Sequence, residues 1–171
     1  MDERRRRFEA QTLPHLGAAH NLARWLSRSP TDAEDIVQEA FLRAYRGFDG
    51  LQGAEAKPWL LAIVRNCWRD LAAKGGRRAE TPLTDETAAI LAADAVDPEA
   101  SAVAASEGRR LDAVIATLPA EFREVLILRE MEDLSYRQIA DAVGAPIGTV
   151  MSRLARARAL VKQGWLAEVH S

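Results

Sequence analysis

Between Leu134 and Lys162 the chain reads LSYRQIADAVGAPIGTVMSRLARARALVK, and Gly144, Ala145 and Pro146 cut this stretch into two helical runs. Apolar residues recur at helical spacing on both sides of the break: Leu134, Ile139, Ala140 and Val143 before it, Val150, Leu154, Ala157 and Val161 after it. The spacing predicts helices over Ser135–Val143 and Ile147–Val161. Gly144 stands where the first helix ends and the backbone needs a positive φ, which glycine adopts cheaply. Pro146 suits the first turn of the next helix, where its missing N–H is not needed. Ala140 is small enough to let the two helices approach closely, and Val150 closes the wedge between them. A chain so constrained folds as a helix-turn-helix, whose second helix can enter a DNA major groove.

Charge follows the same division. Arg153, Arg156, Arg158 and Lys162 lie on the second helix with no acid between Pro146 and Gln163, whereas the stretch from Glu107 to Asp141 is rich in acids. A basic helical face fits phosphate contact. Charge alone also fits a solvated face in an ordinary bundle. The whole chain carries a net charge of −2, so only this local segregation argues for nucleic acid.

The rest of the chain reads as helix almost throughout, because Ala, Leu, Arg and Glu dominate and β-branched runs are scarce. Its 171 residues allow one domain or two small ones. A single cysteine, Cys67, excludes an internal disulfide and a Cys-rich metal site. The opening MDERRRRFEA lacks the apolar core of a signal peptide, and no apolar run approaches membrane-spanning length, so the expectation is a cytoplasmic chain without membrane insertion.

In order, Arg4–Arg7 reads as a solvated, frayed start. Leu13–Ser27 is predicted helical with Leu16, Ala19, Ala23 and Leu26 inward; His15 and His20 have no Cys or Glu at ligand spacing and read as surface or packing residues. Thr31–Glu34 fits a capping box for a helix running to about Gly47, with Val37, Ala40, Phe41, Ala44 and Phe48 inward. Asp35, Gln38 and Leu42 share another stripe. Leu42 either widens the core or anchors a partner helix, and spacing favours the core. The loop DGLQGAEA, residues 49–56, leads to a third helix opened by Pro58, from Trp59 to about Lys74, with Leu60, Val64, Cys67 and Leu71 inward. Trp59 and Trp68 read as core, and Cys67 as inert packing. Arg65, Asn66 and Arg69 sit apart from that stripe; an Arg/Asn face beside a Gly-containing loop fits splayed single-stranded bases.

Residues 74–105 change character, with small residues, Pro82, Pro98, more acids than bases and no sustained amphipathic period beyond a short helix fitting Glu86–Ala93. This reads as a flexible linker. Leu111, Val114, Ile115 and Leu118 then form one stripe; Pro119 begins another helix with Phe122, Val125, Leu126 and Leu128 or Met131 inward; Trp165 packs back as a C-terminal cap. The expected architecture is all-α: a helical domain over 1–74, a linker over 75–105, and a four-helix domain with the helix-turn-helix over 106–171.

Three blocks of the chain together resemble the sigma-70 family of RNA polymerase sigma factors, extracytoplasmic-function (ECF) group. They are DAEDIVQEAFLRAYRGF (32–48), KPWLLAIVRNCWRDL (57–71) and LPAEFREVLILREMEDLSYRQIADAVGAPIGTVMSRLARAR (118–158). The resemblance implies a promoter-specificity subunit without catalytic chemistry or cofactor. Its partners would be core RNA polymerase, through the β′ clamp helices and the β flap, promoter DNA, and an anti-sigma factor. It assigns Asp35, Gln38, Glu39 and Leu42 to polymerase docking, and Arg65, Asn66 and Arg69 to DNA at −10, with Leu51 in the base-capturing loop. Thr149, Met151, Ser152, Arg153 and Arg156 would face the −35 major groove, with Arg158 on phosphates. Met151 stands where many relatives carry Lys or Arg, so it would touch a thymine methyl instead. Two rivals are a helix-turn-helix regulator that never joins polymerase, for which no dimer stripe is evident, and a sigma-like decoy, for which a basic recognition helix has no use. An enzyme fits least: no Ser/His/Asp set, metal cluster or phosphate loop appears at workable spacing.

Overall fold

The computed structural model describes residues 2–75 and 98–170, and every regular element among them is helical. Helix α1 (Glu3–Thr12) is capped by Asp2, whose carboxylate accepts from the Arg4 amide at 3.0 Å. The arginine run is therefore not a frayed start. Phe8 anchors it: the ring is buried edge-on against Phe41, Tyr45 and Phe48, with centroids 6.4, 5.2 and 5.4 Å away. Arg4 follows, donating from Nη2 to the Tyr45 carbonyl at 2.6 Å with its guanidinium over the Tyr45 ring.

A 3-10 turn over Leu13–His15 separates α1 from α2 (Leu16–Ser27), because Pro14 interrupts the predicted continuous helix. Ala19, Ala23 and Leu26 are buried as the periodicity predicts, while Leu16 is exposed. Helix α3 (Pro30–Arg46) is capped by Ser29, whose hydroxyl accepts from the Asp32 amide at 3.3 Å. The cap thus lies two residues before the predicted Thr31 box. Pro30, with φ fixed and no N–H, takes the first helical position and leaves Thr31 already inside the helix. Ile36, Val37, Ala40, Ala44 and Phe48 are buried and Phe41 is half-buried. Helix α4 (Ala56–Gly75) buries Leu60, Leu61, Val64 and Cys67, with Trp59 and Trp68 packed on the same core. Helices α2, α3 and α4 pack pairwise into one unit.

Helix α5 (Pro98–Ala116) begins inside the stretch expected to be linker. Its first turns are alanine-rich, and high helix propensity carries the helix where no apolar stripe is needed. The expected helix over Glu86–Ala93 lies outside the described residues. Helix α6 (Ala120–Leu126) runs into a π turn over Ile127–Met131. The wider turn shifts the register, so Ile127 and Leu128 are buried and Met131, a candidate inward residue, is exposed. Leu111, also expected inward, is exposed. Helices α7 (Tyr136–Val143) and α8 (Ile147–Val169) complete the second unit. Helix α8 runs well past Val161, so Trp165 belongs to it rather than folding back as a separate cap; its ring lies 4.9 Å from the Arg110 guanidinium. The two units pack directly on each other, α2 against α6 and α4 against α7, around a shared core cluster.

Candidate nucleic-acid and polymerase interfaces

Ser135 and Gln138 cap α7 reciprocally. The Gln138 amide donates to Ser135 Oγ at 3.1 Å and the Ser135 amide to Gln138 Oε1 at 2.9 Å. Gly144 ends the helix at φ 67°, ψ 38°, and its N–H bonds the Ala140 carbonyl. Pro146 is the extended residue just before α8, one position ahead of the predicted first turn. Val150, Leu154 and Ala157 are buried and fix which side of α8 faces inward.

The opposite side is the candidate reading face. Its centre is a row of small, exposed residues, Gly148, Ser152, Ala155 and Ala159. Met151, 49% exposed, flanks the row on one side and Arg156 on the other, with Thr149 and Arg153 half-buried beyond Arg156. Ser152 Oγ donates back to the Gly148 carbonyl at 3.0 Å. Arg158 turns away from this row: Nη2 and Nε donate to Glu130 Oε1 at 2.6 and 2.9 Å, and that hydrogen-bonded carboxylate raises the guanidinium pKa further. A phosphate contact by Arg158 therefore competes with Glu130.

The residues assigned to −10 do not form one surface. Asn66 and Arg69 are exposed on α4. Leu51 is only 4% exposed and belongs to the core, so the accessible tip of the loop is Gln52–Ala54, with φ 35° at Gln52 and 79° at Gly53. Arg65 is buried: its guanidinium donates to Glu124 of α6 from Nε to Oε2 at 2.9 Å and from Nη2 to Oε1 at 3.2 Å.

On α3, Asp35, Gln38 and Leu42 are exposed, Leu42 by 53%, so Leu42 is not part of the core that spacing favoured. Gln38 and Leu42 border a groove of about 650 Å³ lined also by Phe8, Leu13, Phe41 and Tyr45. A second groove of about 370 Å³, lined by Leu16 and His20 among others, shares Gln38 and Phe41 with it. The contribution of α1 and of Leu13 and Leu16 to this trough was not legible in a terminus read as frayed and in a helix read as continuous. Glu39 accepts from Arg43 Nε at 3.1 Å, and Arg43 Nη1 bonds Asp70 Oδ2 at 2.7 Å, tying α3 to α4. Asp70, then Glu39, raise the Arg43 pKa. Burial pushes the nearby Cys67 thiol up, which suits inert packing. Among the described residues no cluster of candidate metal ligands occurs, and no helix is long and apolar enough to cross a membrane.

Two family models match the chain: sigma-70 region 2 over residues 13–78, and sigma-70 region 4 over residues 108–161. An ECF RNA polymerase sigma-E factor of Haemophilus influenzae is 35% identical over 154 residues, covering 82% of this chain and 77% of that protein. The chain belongs to the ECF group of the sigma-70 family. The ECF sigma factor SigE of Mycolicibacterium smegmatis is 34% identical over 84% of the chain, which spans 56% of that longer relative. The sigma factor RpoE of Bartonella quintana, solved in complex with the anti-sigma factor NepR, superposes with a TM-score of 0.72 at 26% identity, covering 92% of this chain and 96% of that one. CnrH, solved with the cytosolic domain of CnrY, shares the fold with a TM-score of 0.64 at 23% identity. In this sigma factor the region 2 match takes in α2, α3 and α4, and the region 4 match contains α7, the turn and α8 as far as Val161.

Proposed function

We infer that this sigma factor binds core RNA polymerase and directs promoter-specific initiation, without catalytic chemistry of its own and in the cytoplasm, where polymerase and chromosome are. The observation that carries the reading is that one chain holds both sigma regions in order and presents two separate faces. One is the exposed Asp35–Gln38–Leu42 stripe beside an apolar trough on α3; the other is the outward side of α8. A partner helix laid in the trough would bury Leu42 and Leu13 while Asp35 and Gln38 fix its register, which suits the polymerase β′ clamp helices. The start of α8 suits the −35 major groove, with Thr149, Met151, Ser152, Arg153 and Arg156 toward bases and Arg158 toward phosphates. Asn66, Arg69 and the Gln52–Ala54 tip suit the −10 region. The anti-sigma partner of the Bartonella quintana relative supports an anti-sigma factor for this chain as well. A helix-turn-helix regulator independent of polymerase would leave the α3 face without a role.

Run-off transcription with core polymerase on genomic fragments tests the reading. Defined start sites that require the protein support it; core polymerase that neither co-purifies with it nor gains new start sites refutes it. Arg156→Ala is expected to weaken promoter binding about tenfold, in line with losing one base contact of about 1–3 kcal/mol, with core binding retained. Asp35→Arg is expected to do the reverse; normal core affinity in that variant would sink the docking assignment.

A further inference from the structure

The arginines Arg4–Arg7 of α1 precede the sigma-70 region 2 match, which begins at residue 13, and the helix aims them in different directions. Successive residues turn about 100° round a helix, and buried Phe8 fixes the inward side. Arg5 lies on one flank, where Nε donates to Glu9 Oε1 at 2.9 Å and both residues border the apolar trough against α3. Arg6 is exposed nearly opposite Phe8. Arg4 and Arg7, three apart, share the other flank. Both of their guanidiniums lie 5.9 Å from the centre of the Phe48 ring.

Phe48 opens a 3-10 turn, Phe48–Gly50, that leads into the loop over 49–56. Leu51 is buried beneath that loop, and the Gly50 and Ala54 amides bond the Gly47 and Leu51 carbonyls at 2.9 and 2.8 Å. The exposed tip Gln52–Ala54 therefore stands at a fixed place relative to α1. At the foot of the loop the Asp49 side chain is 87% exposed, and Arg4 Nε lies 3.6 Å from its Oδ1. Arg4 is further committed to the Tyr45 carbonyl. Arg7 is exposed, and among the described residues no carboxylate lies within ion-pair distance of it. From Phe48 to Gln52 the chain spans at most about 14 Å, the length of about four nucleotides stacked at about 3.4 Å each.

Resting on the sigma-factor reading, which puts this loop at a captured −10 base, we propose that Arg7 binds a backbone phosphate of the same single strand, within about four nucleotides of that base. The guanidinium donates to phosphate oxygens, a contact that reads no sequence but fixes the register of the strand on the loop. Arg4 is the positioning residue: its charge offsets Asp49, which would otherwise repel the strand at the foot of the loop. Phe8 makes the arrangement rigid by docking α1 on Phe41, Tyr45 and Phe48. The opposite flank, with Arg5 and Glu9, stays beside the trough, so one short helix serves the DNA strand on one side and the polymerase groove on the other.

Holoenzyme assembled from core polymerase and the full chain tests this, with a labelled single strand covering the −10 element of a promoter mapped by run-off transcription. Affinity is read by fluorescence anisotropy between about 50 and 200 mM salt. Arg7→Gln is expected to make the log–log salt slope shallower by about 0.7, the contribution of one phosphate on a single strand, and to weaken binding about fivefold at about 0.1 M salt. Arg7→Lys keeps the charge and is expected to keep the slope. Arg6→Gln removes an equal charge from the solvent side and is expected to leave the slope unchanged. Replacing one phosphate at a time by a neutral methylphosphonate locates the contact: a single linkage near the captured base costs the wild type about fivefold and costs Arg7→Gln nothing further. An unchanged slope in Arg7→Gln, or an equal loss in Arg6→Gln, refutes the contact. So does a loss of core affinity in Arg7→Gln, which would give this flank to polymerase. Run-off transcription reads the underlying function separately. A chain that directs initiation but shows no Arg7 effect loses only this contact; a chain that yields no start sites loses the sigma-factor reading and the contact with it.

Discussion

Replacing Gly164 by alanine puts a methyl group against a wall. Gly164 lies in α8 where that helix crosses α5, and a Cβ built on it falls 2.7 Å from Val114 Cγ1, 3.6 Å from Cγ2 and 3.7 Å from Cβ. Carbon atoms in contact prefer about 3.5–4.0 Å, so the shortfall is about 1 Å. Val114 is buried and its χ1 is stiff, so it cannot swing aside. Overpacking of this kind costs about 1–3 kcal/mol, against a gain of about 1 kcal/mol from replacing glycine within a helix. The net expectation is a loss of about 1 kcal/mol, or a melting temperature lower by about 2–4 °C for a chain of this size. The partner experiment fixes the cause. With Val114→Ala in place the wall is gone, and Gly164→Ala then raises the melting temperature by a similar amount. Thermal unfolding followed by circular dichroism at 222 nm (the usual helix band) on the four members of this cycle reads both signs. A melting temperature raised by Gly164→Ala in the wild-type background would refute the argument, since propensity alone would then decide.

Other consequences are more local. Ser135→Ala removes one arm of the reciprocal cap on α7 and is expected to cost about 0.5–2 kcal/mol, read as a lower urea midpoint with unchanged slope. Burial raises the carboxyl pKa of Asp112. The folded state therefore holds its proton to higher pH than the unfolded chain does, and stability is lost as pH rises from the unfolded value through the folded one. Asp112→Asn is expected to raise the melting temperature at pH 7 and to leave it unchanged at acidic pH where both forms are protonated; an equal gain at both pH values would exclude titration as the cause.

The helix-turn-helix was legible in outline because its signals are local. Gly144 needs its left-handed conformation whatever packs nearby, and the Val150–Leu154–Ala157 stripe is periodic within one element. Ser135 and Gln138 carried an S-x-x-Q cap signature that periodicity alone passed over. Errors arose where a non-local partner decides. Phe8 turns a charged terminus into a packed helix only because Phe41, Tyr45 and Phe48 receive it. Leu42 lies on a stripe beside the inward one of α3, and only the packing around it decides that this side is open to solvent. Arg65 reads like its neighbours Asn66 and Arg69 in the sequence, and only the packing of α4 on the second unit buries it against Glu124. The π turn at Ile127–Met131 has no composition signature, so the register shift that exposes Met131 was invisible.

If α8 enters the −35 groove as proposed, the row Gly148, Ser152, Ala155 and Ala159 along it sets how the protein would divide its grip on DNA between strength and discrimination. Without long side chains at its centre the helix can sit close to the groove floor, but it carries few donors that distinguish one base pair from another. Discrimination would then fall to the edges, where Met151 could offer only an apolar contact and Arg156 a bidentate one. Most of the binding free energy would then come from phosphates, and affinity is expected to fall with salt by about 0.9 in log–log slope for each phosphate neutralised. Single substitutions at −35 positions facing the small row are then expected to cost less than the roughly 1–3 kcal/mol usual for a mismatched pair. A regulon read in this way would tolerate divergent −35 sequences.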